Sequence, residues 1–257
     1  MKKLLCLSLF MSTLFFFYCK QNSPSQKTND PSHSEVVMTP FAPSHEFPDV
    51  SLSSMTYLNG TFEFGISGNY QLGMQTPDAP QKMCANSDKG QHIHLIVDNK
   101  PYEAKYTPSF DFPIDSGEHY ILAFLSRSYH ESIKTKAASA LVLANIAQNT
   151  FTKVSPVTQP MIFYSRPKGT YLGAETKKIM LDFYLANCNL GPNYKVKADI
   201  NGKEFVIDTW QPYYLEGLPM GENTIKLSLI DSLGAFVNVP LNPVERKFTL
   251  QSEPQQQ

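Results

Sequence analysis

The chain has 257 residues, with 22 Lys+Arg against 23 Asp+Glu and a formal net charge of -1. That balance gives no basic field to attract a phosphate backbone, which excludes general nucleic-acid binding. At 42% hydrophobic and 12% aromatic the chain can bury a core, which excludes a chain disordered throughout.

The first element is an apolar stretch from Leu4 to Tyr18, preceded by Lys2 and Lys3 and ended by Cys19. It falls short of the about 20 apolar residues of a membrane span, and has the length of a signal-peptide h-region. The chain then turns polar through Lys20-Gln21-Asn22-Ser23-Pro24. A Cys at this boundary resembles a bacterial lipoprotein signal, although Phe17 and Tyr18 are bulky where small residues are usual. The resemblance implies that residues 1–18 are removed and that Cys19 carries the lipid. It also implies an extracytoplasmic protein held to a bacterial membrane, the outer membrane being expected. Residues 19–48, rich in Ser, Pro, Asn and Gln, read as a lipidated flexible tether in which His33 and His45 are solvated. Residues 252–257 read as a frayed tail.

Between tether and tail the sequence repeats. Phe62-Glu63-Phe64-Gly65-Ile66 answers Leu181-Asp182-Phe183-Tyr184-Leu185, and Gly117-Glu118-His119-Tyr120-Ile121 answers Gly221-Glu222-Asn223-Thr224-Ile225. Strand-like runs alternate with turn signals such as Asn201-Gly202, so each copy reads as an immunoglobulin-like β-sandwich. The expected fold class is all-β: sandwich one over 49–153, a linker over 154–158 and sandwich two over 159–251. The Ala-rich stretch Lys134–Gln148 is ambiguous between helix and strand.

In sandwich order, strand B of the first copy is Thr61–Ser67, C is His92–Asp98, F is His119–Ser126, and G lies within Ser139–Ala147. C pairs with F in this fold, and the B–C and F–G loops share one end. One pole of sandwich one therefore gathers Cys84, His92, His94, Ser126, Arg127, Ser128, His130 and Glu131. Met74–Lys89 is an insertion at that pole, absent from the second copy. By alternation Ile93, Leu95, Val97, Ile121, Ala123 and Leu125 face the core. The opposite face then carries His92, His94, Ile96, Tyr120, Leu122 and Phe124, an apolar and imidazole surface that something must cover.

The segments CANSDKGQHIHLIVDNKPYEAKY and FLSRSYHESIKTKAA resemble an uncharacterised group of bacterial lipoproteins sharing ANS-x-KGQHIH and SRSYHES segments. The stretches YSRPKGTYLG and PMGENTIKL also resemble that group. Such proteins are sometimes labelled phosphopeptide-binding. Ser126-Arg127-Ser128-Tyr129-His130 is similar to the Ser-Arg-x-His signature of forkhead-associated domains, with one extra residue between Arg127 and His130.

Three readings of the pole stand open. His92 and His94, at i and i+2 on one strand face, could join His130 and Cys84 or Glu131 to hold Zn or Cu. Ser126, Arg127, Ser128, His130 and Glu131 could bind an anionic ligand or a peptide or protein partner, because the Arg fork suits carboxylate and phosphate. Alternatively, Arg127 pairs with Glu131 and the cluster pins its own loop. No Gly-x-Ser-x-Gly elbow, phosphate loop or His-Glu-x-x-His occurs, so the expected function is binding rather than catalysis, with no obligatory cofactor. Cys84 and Cys188 could bridge only if the two poles touched. Trp210 reads as core or domain-junction packing.

Overall fold

Runs in which β-branched and aromatic residues alternate with polar ones become strands, and a computed structural model describes them over residues 35–253. The expected signal segment, Cys19, the first part of the expected tether with His33, and residues 254–257 lie outside the described residues. The strands are β1 (Val37–Pro40), β2 (Ser51–Leu58), β3 (Thr61–Ser67), β4 (His92–Val97), β5 (Glu103–Lys105), β6 (Ser109–Asp111), β7 (Gly117–Ser126), β8 (Ser139–Ala147) and β9 (Thr150–Pro156). They continue with β10 (Met161–Arg166), β11 (Gly169–Leu172), β12 (Ile179–Ala186), β13 (Tyr194–Ile200), β14 (Lys203–Ile207), β15 (Tyr213–Glu216), β16 (Gly221–Asp231) and β17 (Val244–Gln251).

The fold is all-β, with two tandem immunoglobulin-like sandwiches. The first stacks sheet β2-β3-β6 on β5-β4-β7-β8-β9, and the second stacks β1-β15-β12-β10 on β11-β17-β16-β13-β14. Two-residue hairpins set the register. Asn59-Gly60 joins β2 to β3 and Asn201-Gly202 joins β13 to β14, each with both φ values positive. The ambiguous Ala-rich stretch is a short 3₁₀ turn followed by β8, which is paired on both sides.

The strand faces fall as the alternation predicts. Ile93, Leu95, Val97, Ile121, Ala123 and Leu125 line the core of the first sandwich. Ile96, Leu122 and Phe124, on the opposite face, pack with Met161, Phe163 and Tyr184 of the second sandwich. Phe124 stacks on Tyr184 with centroids 5.0 Å apart, and Trp210 packs at the same junction, its Nε1 donating to the Phe183 carbonyl. The junction is polar at its margins. Asn99 donates to the Ile162 carbonyl and accepts from the Tyr164 amide. Asp182, fully buried, accepts from the Ser132 amide and hydroxyl and from Lys134.

The tether expectation needs correcting over its described end. Residues 37–40 form β1, the edge strand of sandwich two, with Val37 opposite Glu216 and Pro40 opposite Tyr213. Phe41 and Phe47 are buried, and between them the main chain crosses to sandwich one. There the Ala42 and Pro43 carbonyls accept from Lys82, and the His45 carbonyl accepts from Arg127. Two buried aromatic rings offset the ordering entropy of a segment whose composition otherwise favours disorder. Cys84 and Cys188 are both free.

Candidate metal centre

β4 presents His92 and His94 on one face because side chains two apart on a strand share a side. Antiparallel pairing sets His92 opposite Ser126, the last residue of β7. The chain then doubles back: the Arg127 amide donates to the Glu131 carbonyl, the His130 amide donates to the Arg127 carbonyl, and Ser126 bridges to Ser132. His130 takes a left-handed φ of 69°, a conformation for which His is enriched among non-glycine residues. That turn swings its imidazole back over β4.

The three imidazoles converge. His92 Nε2 lies 2.8 Å from His94 Nε2 and 3.1 Å from His130 Nδ1, and all three atoms fall within 4.8 Å of one another. The Gly90 carbonyl receives His92 Nδ1 at 2.7 Å. A carbonyl can only accept, so His92 carries its proton on Nδ1 and presents a lone pair at Nε2. Gly90 holds that position at φ +80°, where a Cβ would meet the Gly73 carbonyl oxygen at 2.4 Å. Around the trio, Ser165 Oγ lies 3.3 Å from His94 Nδ1 and Tyr102 Oη lies 3.3 Å from His130 Nδ1. The Tyr102 ring stacks on His94 at 3.6 Å, with Phe124 and Tyr106 completing an aromatic wall.

Burial holds these imidazoles neutral. It lowers the His92 pKa to about 4, and pushes His94 and His130 well below the ordinary imidazole value. The neighbouring cations Arg166 and Lys168 act in the same direction on all three. Neutral imidazole is the ligating form. Tetrahedral Zn with N ligands at about 2.0–2.1 Å needs N···N separations of about 3.3 Å, so the His92–His94 and His92–His130 pairs would each open by about half an ångström or less, with the His94–His130 pair adjusting from within 4.8 Å.

Other residues of the predicted pole go elsewhere. Cys84 is not in the nitrogen cluster; it packs beside Phe41, Tyr129, Met180 and Tyr214. Glu131 is likewise no ligand, its carboxylate facing Arg127 Nη1 at 3.5 Å and accepting from the Ser44 hydroxyl. Arg127 also donates to the His45 carbonyl through Nε and Nη2, and to the Ser132 carbonyl through Nη1. The Ser126 hydroxyl donates to the carbonyls of Arg127 and Glu131, while Ser128 exchanges hydrogen bonds with Thr76 of the insertion. Ser126, Arg127, Ser128 and Glu131 are thus engaged with one another, with residues 44 and 45 and with Thr76, around the loop that delivers His130.

Sequence reasoning missed Tyr102, Ser165, Arg166 and Lys168, which close the site from β10 and from the chain around β5. The YSRPKGTYLG stretch, which carries Ser165, Arg166 and Lys168, is the sequence signal for them.

No family model and no curated protein matches the chain. Among solved structures it is similar to the fibronectin(III)-like modules of Clostridium thermocellum CbhA, at 13% identity and TM-score 0.29 over 36% of this chain and 98% of that one. It is similar to domains 4 and 5 of the S-layer protein SbsC, at 11% identity and TM-score 0.21 over 86% and 99%. The two tandem V-type regions of the chitin-binding protein VCBP3 align at 10% identity and TM-score 0.23 over 85% and 100%.

Proposed function

We propose that this protein is a lipid-anchored, extracytoplasmic, non-enzymatic binding protein that holds Zn or Cu through His92 Nε2, His94 Nε2 and His130 Nδ1. The observation that carries the metal reading is the convergence of three neutral imidazoles on one point, His92 and His94 fully buried and His130 half-buried, with His92 fixed in its ligating tautomer by Gly90. Such outer hydrogen bonds are what orient ligating imidazoles in metal sites. Binding rather than catalysis is supported by the serines near His130, whose hydroxyls are engaged by main-chain carbonyls and Thr76. The lipid anchor rests on the sequence pattern at Cys19.

Protein purified without an affinity tag should contain close to one equivalent of Zn or Cu by elemental mass spectrometry. His92→Ala with His94→Ala should abolish it while the β-rich circular dichroism spectrum persists; retention of metal by the double variant would refute the site. For the anchor, Cys19→Ser should release the protein from the membrane fraction or leave the precursor uncleaved, and should lose radiolabelled fatty acid that the unaltered protein incorporates. Equal labelling of the two would refute lipidation.

A further inference from the structure

The charge around the imidazole trio is unbalanced for a metal cation. Its nitrogens are neutral donors, and none of them hydrogen-bonds a carboxylate. Two cations stand beside it. Lys168 donates to the Tyr102 carbonyl and sits 4.0 Å over the Tyr102 ring, the ring whose other face is stacked on His94. Arg166, the neighbour of Ser165, lies 5.8 Å from the same ring centre and is only 7% exposed. Its guanidinium makes a single hydrogen bond, from Nη1 to Tyr171 Oη at 3.2 Å, and no ion pair among the described residues. The guanidinium also faces the Tyr171 ring at 5.7 Å, and with no carboxylate in ion-pair reach among the described residues its planar fork keeps donors to offer an anion. A divalent ion in three neutral imidazoles also needs a fourth ligand, and that ligand should be anionic where two further cations press on the site. A planar oxyanion would answer both deficits, with one oxygen on the metal and the other edge on the guanidinium fork.

We propose that the metal centre is completed by a small planar oxyanion of the carboxylate or bicarbonate class, held by Arg166, so that metal and anion bind together. This rests on the metal reading of the trio. The probes are Zn(II) and formate. Zn(II) affinity is measured by chelator competition in a non-coordinating buffer with perchlorate as the only added anion, with and without millimolar formate. Formate should tighten Zn(II) binding at least tenfold in the unaltered protein and less than twofold in Arg166→Gln. Arg166→Lys, which keeps the charge and loses the fork, should recover only part of the effect. Should the Arg166 variants fail to fold, the unaltered protein loaded with Co(II) serves instead, its visible spectrum shifting on formate addition as the fourth ligand changes. Formate independence of Zn(II) affinity in the unaltered protein, full enhancement in a folded Arg166→Gln, or an unmoved Co(II) spectrum would each overturn the anion while leaving the metal reading standing. Failure to bind Zn(II) under any condition would overturn both.

Discussion

At Gly90 a steric constraint becomes a chemical one. The left-handed backbone there, crowded by Gly73, aims a carbonyl at His92 Nδ1 and so decides which nitrogen of that ring is free for a metal. Arg127 works in the opposite sense: a residue that reads as a ligand fork is consumed by its own neighbourhood, with His45, Ser132 and Glu131 taking its donors. The cysteines make a third contrast. Burial pushes the Cys84 thiol up to about 12 and the Cys188 thiol up to about 11. The thiolate is the reactive form, and a raised pKa leaves it scarce until the pH climbs towards those values. At pH 8, alkylation of both side chains by iodoacetamide should therefore run roughly 100-fold or more slower in the native protein than in denaturant, as followed by mass spectrometry of their peptides. Fast native labelling of either would show that its burial is wrongly placed.

Among the elements, the strap over residues 37–47 carries the strongest consequence. It binds sandwich two through β1 and sandwich one through Lys82 and Arg127, and Ser44 donates to Glu131 within the loop that holds His130. A chain beginning at Asp49, where sequence alone starts the first sandwich, keeps every imidazole yet loses this clamp. Its Zn(II) affinity should fall at least about tenfold relative to a chain beginning at Lys20, since supporting partners of a metal site carry effects of that size. Equal affinities in chelator competition would show that the strap does not position His130. Much of the architecture was legible beforehand because the repeat supplies its own control. Thr224, Lys226 and Ser228 mark the outward positions that Tyr120, Leu122 and Phe124 occupy in the first copy, so the covered face announced itself. His92, His94 and His130 were legible for a similar reason, since strand pairing is a short-range rule. The strap was not: a four-residue strand pairing with a distant partner leaves no periodicity, and two isolated aromatics among Pro, Ser and His look like linker. Arg166 and Lys168 reach the site from the other sandwich, and no local pattern reports a contact between domains.

Over the whole molecule, the junction makes the two sandwiches mutually dependent. The face that sandwich one turns away from its own core is dry only because Met161, Phe163 and Tyr184 lie on it, and Asp182 is buried among donors that include Ser132 and Lys134 of the first sandwich. Burial of that apolar face, at about 25 cal/mol per Å², is the dominant reason for the two to stay together.

Because β1 precedes sandwich one in the chain but completes a sheet of sandwich two, the polypeptide is threaded as one sandwich inserted inside the other. A chain made from its N-terminus delivers β1 first, yet that strand has no partner until Tyr213–Glu216 follows. The closure costs little at equilibrium, since loop entropy grows only logarithmically with length, but so non-local a pairing is slow to find. Until β15 arrives, Phe41 lacks the Tyr214 ring it packs against, and the clamp on the His130 loop is missing its anchor in sandwich two. The order of synthesis thus makes the imidazole cluster one of the last parts of the molecule to become rigid, and a chain truncated before residue 213 would carry all three histidines without the means to hold them still.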